Sequence, residues 1–331
     1  MTVEMELAGV GHAVGSAVVR NADTAVGLGL PPDWLERRTG IVERRTAAAG
    51  ENALTLATAA VTMALEDAGL AADELGSETV LIHIQNELLH VTPPAGAVLC
   101  GHMGLHKVRP LGIDGACAEP IAALEVAQLM LAAGRCRRVI LSAASNFLPV
   151  VNHDDVGTAG LFGSGAGAAV MSATRAQGIP FTLRALRWES HTDLWELGSV
   201  PVRGLERRET GLVLDLGYYT MHGERLARVG AHVVPELIFA VLDEAGWKRD
   251  DVDLLIAHQP NVRLLQMVLR RMGMPLGILP TPVSHLGNMG SASILVNLSL
   301  AKGEGRLTPG TKLLLSSFGL GFSTGAAALE L

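Results

Sequence analysis

DGACAEPIAALEVAQLMLAAGRCRRVILSAAS, residues 114 to 145, reads as a glycine turn, an apolar helix, a second turn at Gly134 and a strand. Only Glu125 and Gln128 interrupt the apolar run of that helix. A helix apolar on all sides belongs in the middle layer of a fold rather than on its surface. The same grammar returns in GNMGSASILVNLSLAKGEGRLTPGTKLLLSSFG, residues 287 to 319. A second matched pair precedes each of these: ALEDAGLAADELGSETVLIHIQN at 64 to 86 and VLDEAGWKRDDVDLLIAHQPN at 241 to 261. In both, a helix closes at a glycine suited to the left-handed C′ position, Gly69 or Gly246, and an acidic connection leads into an apolar strand. Two matched pairs in the same order, about half a chain apart, predict a five-layered α/β/α/β/α sandwich. Its two similar halves span 1–175 and 176–331, each with a buried helix at its centre.

Composition agrees with a layered α/β core. Aromatic residues make up only 4% of the 331 residues while glycine numbers 38, so Ala, Val, Leu and Ile must fill the interior by close packing. A net charge of −7 argues against nucleic acid or an anionic membrane as the main partner. Every long apolar stretch is broken well before it could span a bilayer. The N-terminal MTVEMELAGVGHAVG is acidic where a signal peptide would be basic, which points to the cytoplasm. Three scattered cysteines, Cys100, Cys117 and Cys136, suit neither a disulfide framework nor a zinc site.

Cys117 stands out because it opens the first buried helix. A thiol at a helix N-terminus feels the positive end of the macrodipole, which favours the thiolate. Cys100 and Cys136 read as small buried hydrophobes. Two partners for Cys117 come from the second half. His258 ends the strand VDLLIA, and ligands of open α/β layers collect at strand C-terminal ends. Asn288 lies in the turn that opens the second buried helix, so the duplication places it opposite Cys117.

Over essentially its whole length the chain resembles the β-ketoacyl-acyl-carrier-protein synthase III family of the thiolase fold. The matches are WLERRTGIVERR (34 to 45), GACA around Cys117, LFGSGAGAAVM (161 to 171), AHQPNVR (257 to 263), GNMGSAS (287 to 293) and FGLGFSTGAA (318 to 327). The resemblance implies a Cys117, His258, Asn288 triad, an oxyanion hole from the backbone N–H groups of Cys117 and Leu320, and a homodimer. It also implies that Trp34, Arg38 and Asn261 bind coenzyme A or pantetheine, and that Arg263, with Arg270 and Arg271 on the same helix, docks an acyl carrier protein. Cys117 would carry an acyl thioester. His258 and Asn288 would donate to the thioester oxygen of a malonyl group as its carboxylate leaves, without any metal or cofactor.

Several residues depart from the family pattern. Glu119 and Pro120 follow Cys117-Ala118 where a glycine and an aromatic are usual, Val156 replaces an arginine of the coenzyme A clamp, and Leu320 interrupts a glycine triplet. Pro120 suits the first helical turn. Glu119 opposes the thiolate unless it points away. The loss at Val156 favours a carrier-borne donor. Two other readings therefore stay open: acyl transfer without decarboxylation to a hydroxyl, amine or second carrier, and a non-catalytic dimerisation or binding partner. The stretch 83 to 107 is expected to line a pocket of unusual shape, and Trp188 and Trp195 either cap it or pack under a loop. Gly163–Gly167 leads into a strand rather than a helix, which argues against a phosphate cradle. His83, His90, His102 and His106 lack a ligand-set spacing.

Overall fold

The computed structural model describes residues 4–113, 116–173 and 178–331. In chain order the first half contains β1 (Glu4–Val14), β2 (Ala17–Arg20), α1 (Asn21–Gly27), α2 (Trp34–Thr39), β3 (Glu43–Thr46), α3 (Ala53–Asp67) and β4 (Thr79–Gln85). It continues through α4 (Ala95–His102), β5 (Arg109–Gly112), α5 (Glu119–Ala132), β6 (Arg138–Asn146) and β7 (Ser164–Ser172). Next come β8 (Ile179–Ser190), β9 (Gly198–Ser199), β10 (Val202–Arg208), β11 (Gly211–Leu216), β12 (Thr220–Met221) and α6 (Gly223–Ala245). The chain ends with β13 (Leu254–Ala257), α7 (Val262–Met272), α8 (Val283–Leu286), α9 (Ala292–Gly303), β14 (Lys312–Gly319) and β15 (Ser323–Glu330).

The main strands run β13-β14-β15-β8-β1-β7-β6-β4-β5. Antiparallel pairing of β1 with β8 joins the set β1-β7-β6-β4-β5 to the set β8-β15-β14-β13. Three apolar clusters define the layers. One lies between the two sets and gathers Ile121, Leu124 and Leu131 of α5 with Ile294, Leu295 and Leu298 of α9. A second packs α3 and α4 on the outer face of the first set, through Leu56, Val61 and Leu99. The third packs α6 and α7 on the outer face of the second set, through Leu237, Val241 and Leu269. The order is helix, sheet, helix, sheet, helix, as the duplicated grammar predicts. The boundary expected between 175 and 176 falls among residues 174–177, outside the described residues.

The matched turns take the predicted form, with Gly69 at φ +65° and Gly246 at φ +69°. Of the two central helices, α9 is buried nearly all round, whereas α5 buries one face and leaves Leu129 57% exposed. The expectation of a fully enclosed first helix therefore holds only in part within one chain.

Glycine lets the sheet approach these helices closely. A Cβ on Gly11 of β1 would lie 2.2 Å from the Ala60 carbonyl oxygen of α3. One on Gly167 of β7 would lie 2.5 Å from Leu295 Cβ and 2.6 Å from the Val296 nitrogen of α9. Neither obstacle is a flexible side-chain tip, so backbone would have to move. Gly167→Ala is expected to destabilise the fold by about 1–3 kcal/mol, measured as a lower midpoint in urea unfolding.

Candidate active site

β14 moors the chemistry of both halves. At its C-terminal end the Ser316 carbonyl accepts from the His258 N–H at 2.8 Å, and Ser317 Oγ donates to the Cys117 carbonyl. A Cβ on Gly319 would lie 2.5 Å from the Cys117 nitrogen, so only glycine lets the strand come this near. Cys117 lies two residues before α5, whose first turn carries Pro120 as expected. Its neighbours Asp114 and Gly115 lie outside the described residues. His258 follows β13 and is 4% exposed, its ring edge-on to Phe318 at 5.6 Å between centroids.

Asn288 is 6% exposed and is held by two backbone bonds: its N–H donates to Leu161 O at 2.8 Å, and its carbonyl accepts from Gly163 N at 3.0 Å. Two residues on, Gly290 links it to the histidine. The Gly290 N–H donates to Asn288 Oδ1 at 2.9 Å, and the Gly290 carbonyl accepts from His258 Nδ1 at 3.1 Å. A carbonyl can only accept, so His258 carries its proton on Nδ1 and presents Nε2 as an acceptor. With its oxygen turned to the Gly290 N–H, Asn288 has its amide N–H groups to offer the cleft that it lines.

Electrostatics differ from the sequence expectation at Cys117. Burial pushes its thiol up to about 12, and the Glu119 carboxylate adds to the rise. Although Cys117 keeps some exposure, desolvation and Glu119 together favour the neutral form, so the resting sulfur is a thiol. Burial likewise holds the His258 imidazole down, to about 4. The resting pair is neutral. Tyr219, edge-on to Phe162 at 4.9 Å, is also raised by burial and by the nearby Cys117 charge.

A cleft of about 590 Å³ reaches in from the surface to Asn288 and to Phe318, the ring against His258; neither Cys117 nor His258 is itself among its walls. Trp34, Arg38, Val156, Asn261, Arg263 and Asn288 are among its walls. The Arg38 guanidinium sits 4.9 Å over the Trp34 ring, a cation–π stack that braces the mouth. Asn261 spends its side-chain oxygen capping α7, accepting from Leu264 N at 2.8 Å. Arg263 is anchored on the Arg37 carbonyl at 3.2 Å, and Arg270 and Arg271 are exposed farther along α7. Leu320 packs its side chain against a cluster with Leu197 and Phe322, where Gly198 leaves room for it.

Other expectations resolve differently. Residues 83 to 96 line a separate cleft of about 610 Å³, with His83, Asn86 and His90 in its wall. His83 is buried and bonded to Ser142 Oγ and Gln85 Oε1, each at 3.3 Å. Trp188 and Trp195 are 47% and 59% exposed, and Trp188 donates to Glu125 at 2.7 Å rather than capping the cleft. Cys100 and Cys136 are buried free thiols, and Gly163–Gly167 does enter a strand. Sequence reading missed Ser317, Gly290 and Tyr219. The signal for Ser317 was available, since two consecutive serines are unusual inside an apolar strand.

His83 and His258 make stability depend on pH. Unfolded, each takes up a proton near 6.5, whereas folded it resists until about 4. The unfolded state therefore binds more protons in this window, so stability is full above pH 6.5 and is lost as pH falls toward 4. The loss is roughly 2 kcal/mol per histidine at pH 5. Urea unfolding at pH 7.5 and pH 5 checks this, and His83→Leu is expected to remove that share of the difference.

Comparison with known proteins gives the site a setting. The model of 3-oxoacyl-[acyl-carrier-protein] synthase III matches residues 111–187, and that of its C-terminal part matches 242–331. The chain is 32% identical over 331 residues to β-ketoacyl-[acyl-carrier-protein] synthase III 3 of Streptomyces coelicolor, covering 99% of this chain and 98% of that one. Among solved structures it resembles 3-oxoacyl-[acyl-carrier-protein] synthase III of Aquifex aeolicus, with TM-score 0.87, 28% identity, and coverage of 99% and 100%. It also resembles the priming β-ketosynthase of the R1128 polyketide pathway, with TM-score 0.84, 26% identity, and coverage of 98% and 96%. With full-length similarity, the same layered fold and both halves of the family model matched, the chain belongs to the β-ketoacyl-[acyl-carrier-protein] synthase III family.

Proposed function

We propose that this protein loads an acyl group onto Cys117 and condenses it with a malonyl-carrier by decarboxylation. The observation that carries the reading is the double use of Gly290, which fixes the His258 tautomer with its carbonyl and the Asn288 orientation with its N–H.

As the Cys117 sulfur attacks the donor thioester, its proton passes to Nε2 of His258, and the carrier thiolate departs to take a proton from water. The oxyanion rests on the Cys117 and Leu320 N–H groups. His258 now has an N–H on both nitrogens, and the incoming malonyl carboxylate favours that charged ring. As carbon dioxide leaves, Asn288 Nδ2 and His258 Nε2 donate to the thioester oxygen, where the negative charge collects. The resulting carbon attacks the acyl group, the bond to sulfur breaks, and the Cys117 thiolate recovers its proton from His258. Every proton taken from the cysteine returns to it, and the reaction needs no metal.

The relatives named for acyl-carrier substrates support a carrier-borne acyl unit, and the cleft mouth at Trp34 and Arg38 suits its pantetheine arm. Arg263, Arg270 and Arg271 on α7 provide a basic face for an anionic carrier. The halves are assigned to 1–175, carrying Cys117, and 176–331, carrying His258 and Asn288, in a cytoplasmic protein. Among the described residues no helix is long and apolar enough to cross a membrane.

Intact-protein mass spectrometry with acyl-carrier donors is expected to show an adduct on the wild type and none on Cys117→Ala. Malonyl-carrier should then release carbon dioxide in step with product, and Asn288→Ala should slow that release about 100-fold or more. Arg270→Glu/Arg271→Glu should raise KM for the carrier-borne donor. An adduct without carbon dioxide would leave simple acyl transfer, and no adduct with any donor would leave a binding partner.

A homodimer is supported by the strand β5, whose four residues are all exposed at the edge of the nine-stranded sheet. Such an edge is a template for a second copy. Sedimentation at twice the 34.7 kDa chain mass is expected, and a monomer at micromolar concentration would refute it.

A further inference from the structure

Asn86 sits one residue past β4 and extends its ladder by donating its N–H to the Ala144 carbonyl at 3.1 Å. Its side-chain oxygen accepts from two hydroxyls that belong to different halves. Ser145 Oγ, near the end of β6, donates at 2.7 Å, and Ser291 Oγ, at the start of α9, donates at 2.6 Å. Both serines are fully buried. The two hydroxyls also lie 3.3 Å from each other, so the three side chains form one cluster in which the Asn86 oxygen is the nearer acceptor for both. The two serines are buried while Asn86 itself edges the open cleft, so the shared acceptor anchors both hydroxyls from the rim of the interior.

Ser291 directly follows Gly290, on which the positions of His258 and Asn288 depend. The turn has no slack on its other side. Gly290 adopts φ +52°, and a Cβ there would lie 2.7 Å from Phe147 Cε2 and 3.0 Å from Ser145 Oγ. Residues 288–291 are thus pinned against the ends of β4 and β6, in the half that carries Cys117.

We propose that Asn86 is a positioning residue for the condensing chemistry: by gathering Ser145 and Ser291 on one oxygen it sets the 288–291 turn, and with it the Asn288 amide and the His258 ring, against the Cys117 half. The inference rests on the reading of the preceding subsection. Asn86 contacts no reacting atom and acts through Ser291 and Gly290. Catalytic groups displaced by about 1 Å lose on the order of 100-fold in rate, so a loosened turn should show in chemistry rather than in binding.

The test compares N86A, S291A and N86D with the wild-type chain. Hydrogen-exchange mass spectrometry follows the peptide 286–294, and steady-state assays follow carbon dioxide release from malonyl-carrier. In N86A and S291A that peptide is expected to exchange about tenfold faster. kcat should fall about tenfold or more while KM stays within about twofold. N86D keeps an acceptor for both hydroxyls and should hold the exchange of 286–294 nearer to wild type than N86A does. Unchanged exchange in 286–294, a change in KM alone, or an N86D chain whose 286–294 peptide exchanges as fast as that of N86A would each overturn the proposal. If N86A does not fold, S291A carries the same comparison. A wild-type chain that takes no acyl group or releases no carbon dioxide refutes the condensing reaction instead, and the exchange data still decide whether Asn86 holds the turn.

Discussion

The approach of Gly319 to the Cys117 nitrogen is the constraint on which the site depends. At 2.5 Å from a notional Cβ, no other residue type fits without moving one of the two backbones. The closeness lets the neighbouring Ser317 hydroxyl reach the Cys117 carbonyl while Ser316 holds His258. Ser316, Ser317 and Gly319 of one strand thereby moor a thiol and an imidazole from opposite halves of the chain to the same strand end. Two residues 141 positions apart in the chain are tied to one strand.

Dryness then decides the protonation states. A thiol raised to about 12 and an imidazole lowered to about 4 do not form an ion pair at rest. Desolvation penalises each charge separately, and Glu119 adds to the penalty on sulfur. Such a site holds its proton on sulfur at rest. A neutral resting state also limits adventitious oxidation, because the thiolate is the reactive form.

The departures from the family pattern acquire distinct physical meanings. Pro120 starts α5, and Leu320 fills space that Gly198 vacates, so both are absorbed by local packing. Val156 lines the cleft opposite the Trp34 and Arg38 stack and removes one positive charge from its mouth. Glu119 is the departure with electrostatic reach into the chemistry.

Much of this was legible without coordinates, for identifiable reasons. Glycines at 69 and 246 announce left-handed helix ends because side chains avoid that conformation, and both adopt it. Apolar runs and their repetition announce layers, because buried helices and strands leave no polar face. The positions of Cys117, His258 and Asn288 at strand and helix ends were readable for the same reason. Three things were not readable. The sequence alone suggested a thiolate, since the helix terminus is a local feature, while the desolvation that opposes it comes from residues distant in the chain. It suggested one pocket around 83 to 107, and folding made a separate cleft. It also gave no hint that Asn86, Ser145 and Ser291 share a single oxygen, because that contact joins positions 59 and 205 residues apart. Local conformation and burial pattern are written in neighbouring residues; the tautomer, the protonation states and the clamp on the turn arise from long-range contacts, and only the packed tertiary structure could decide them.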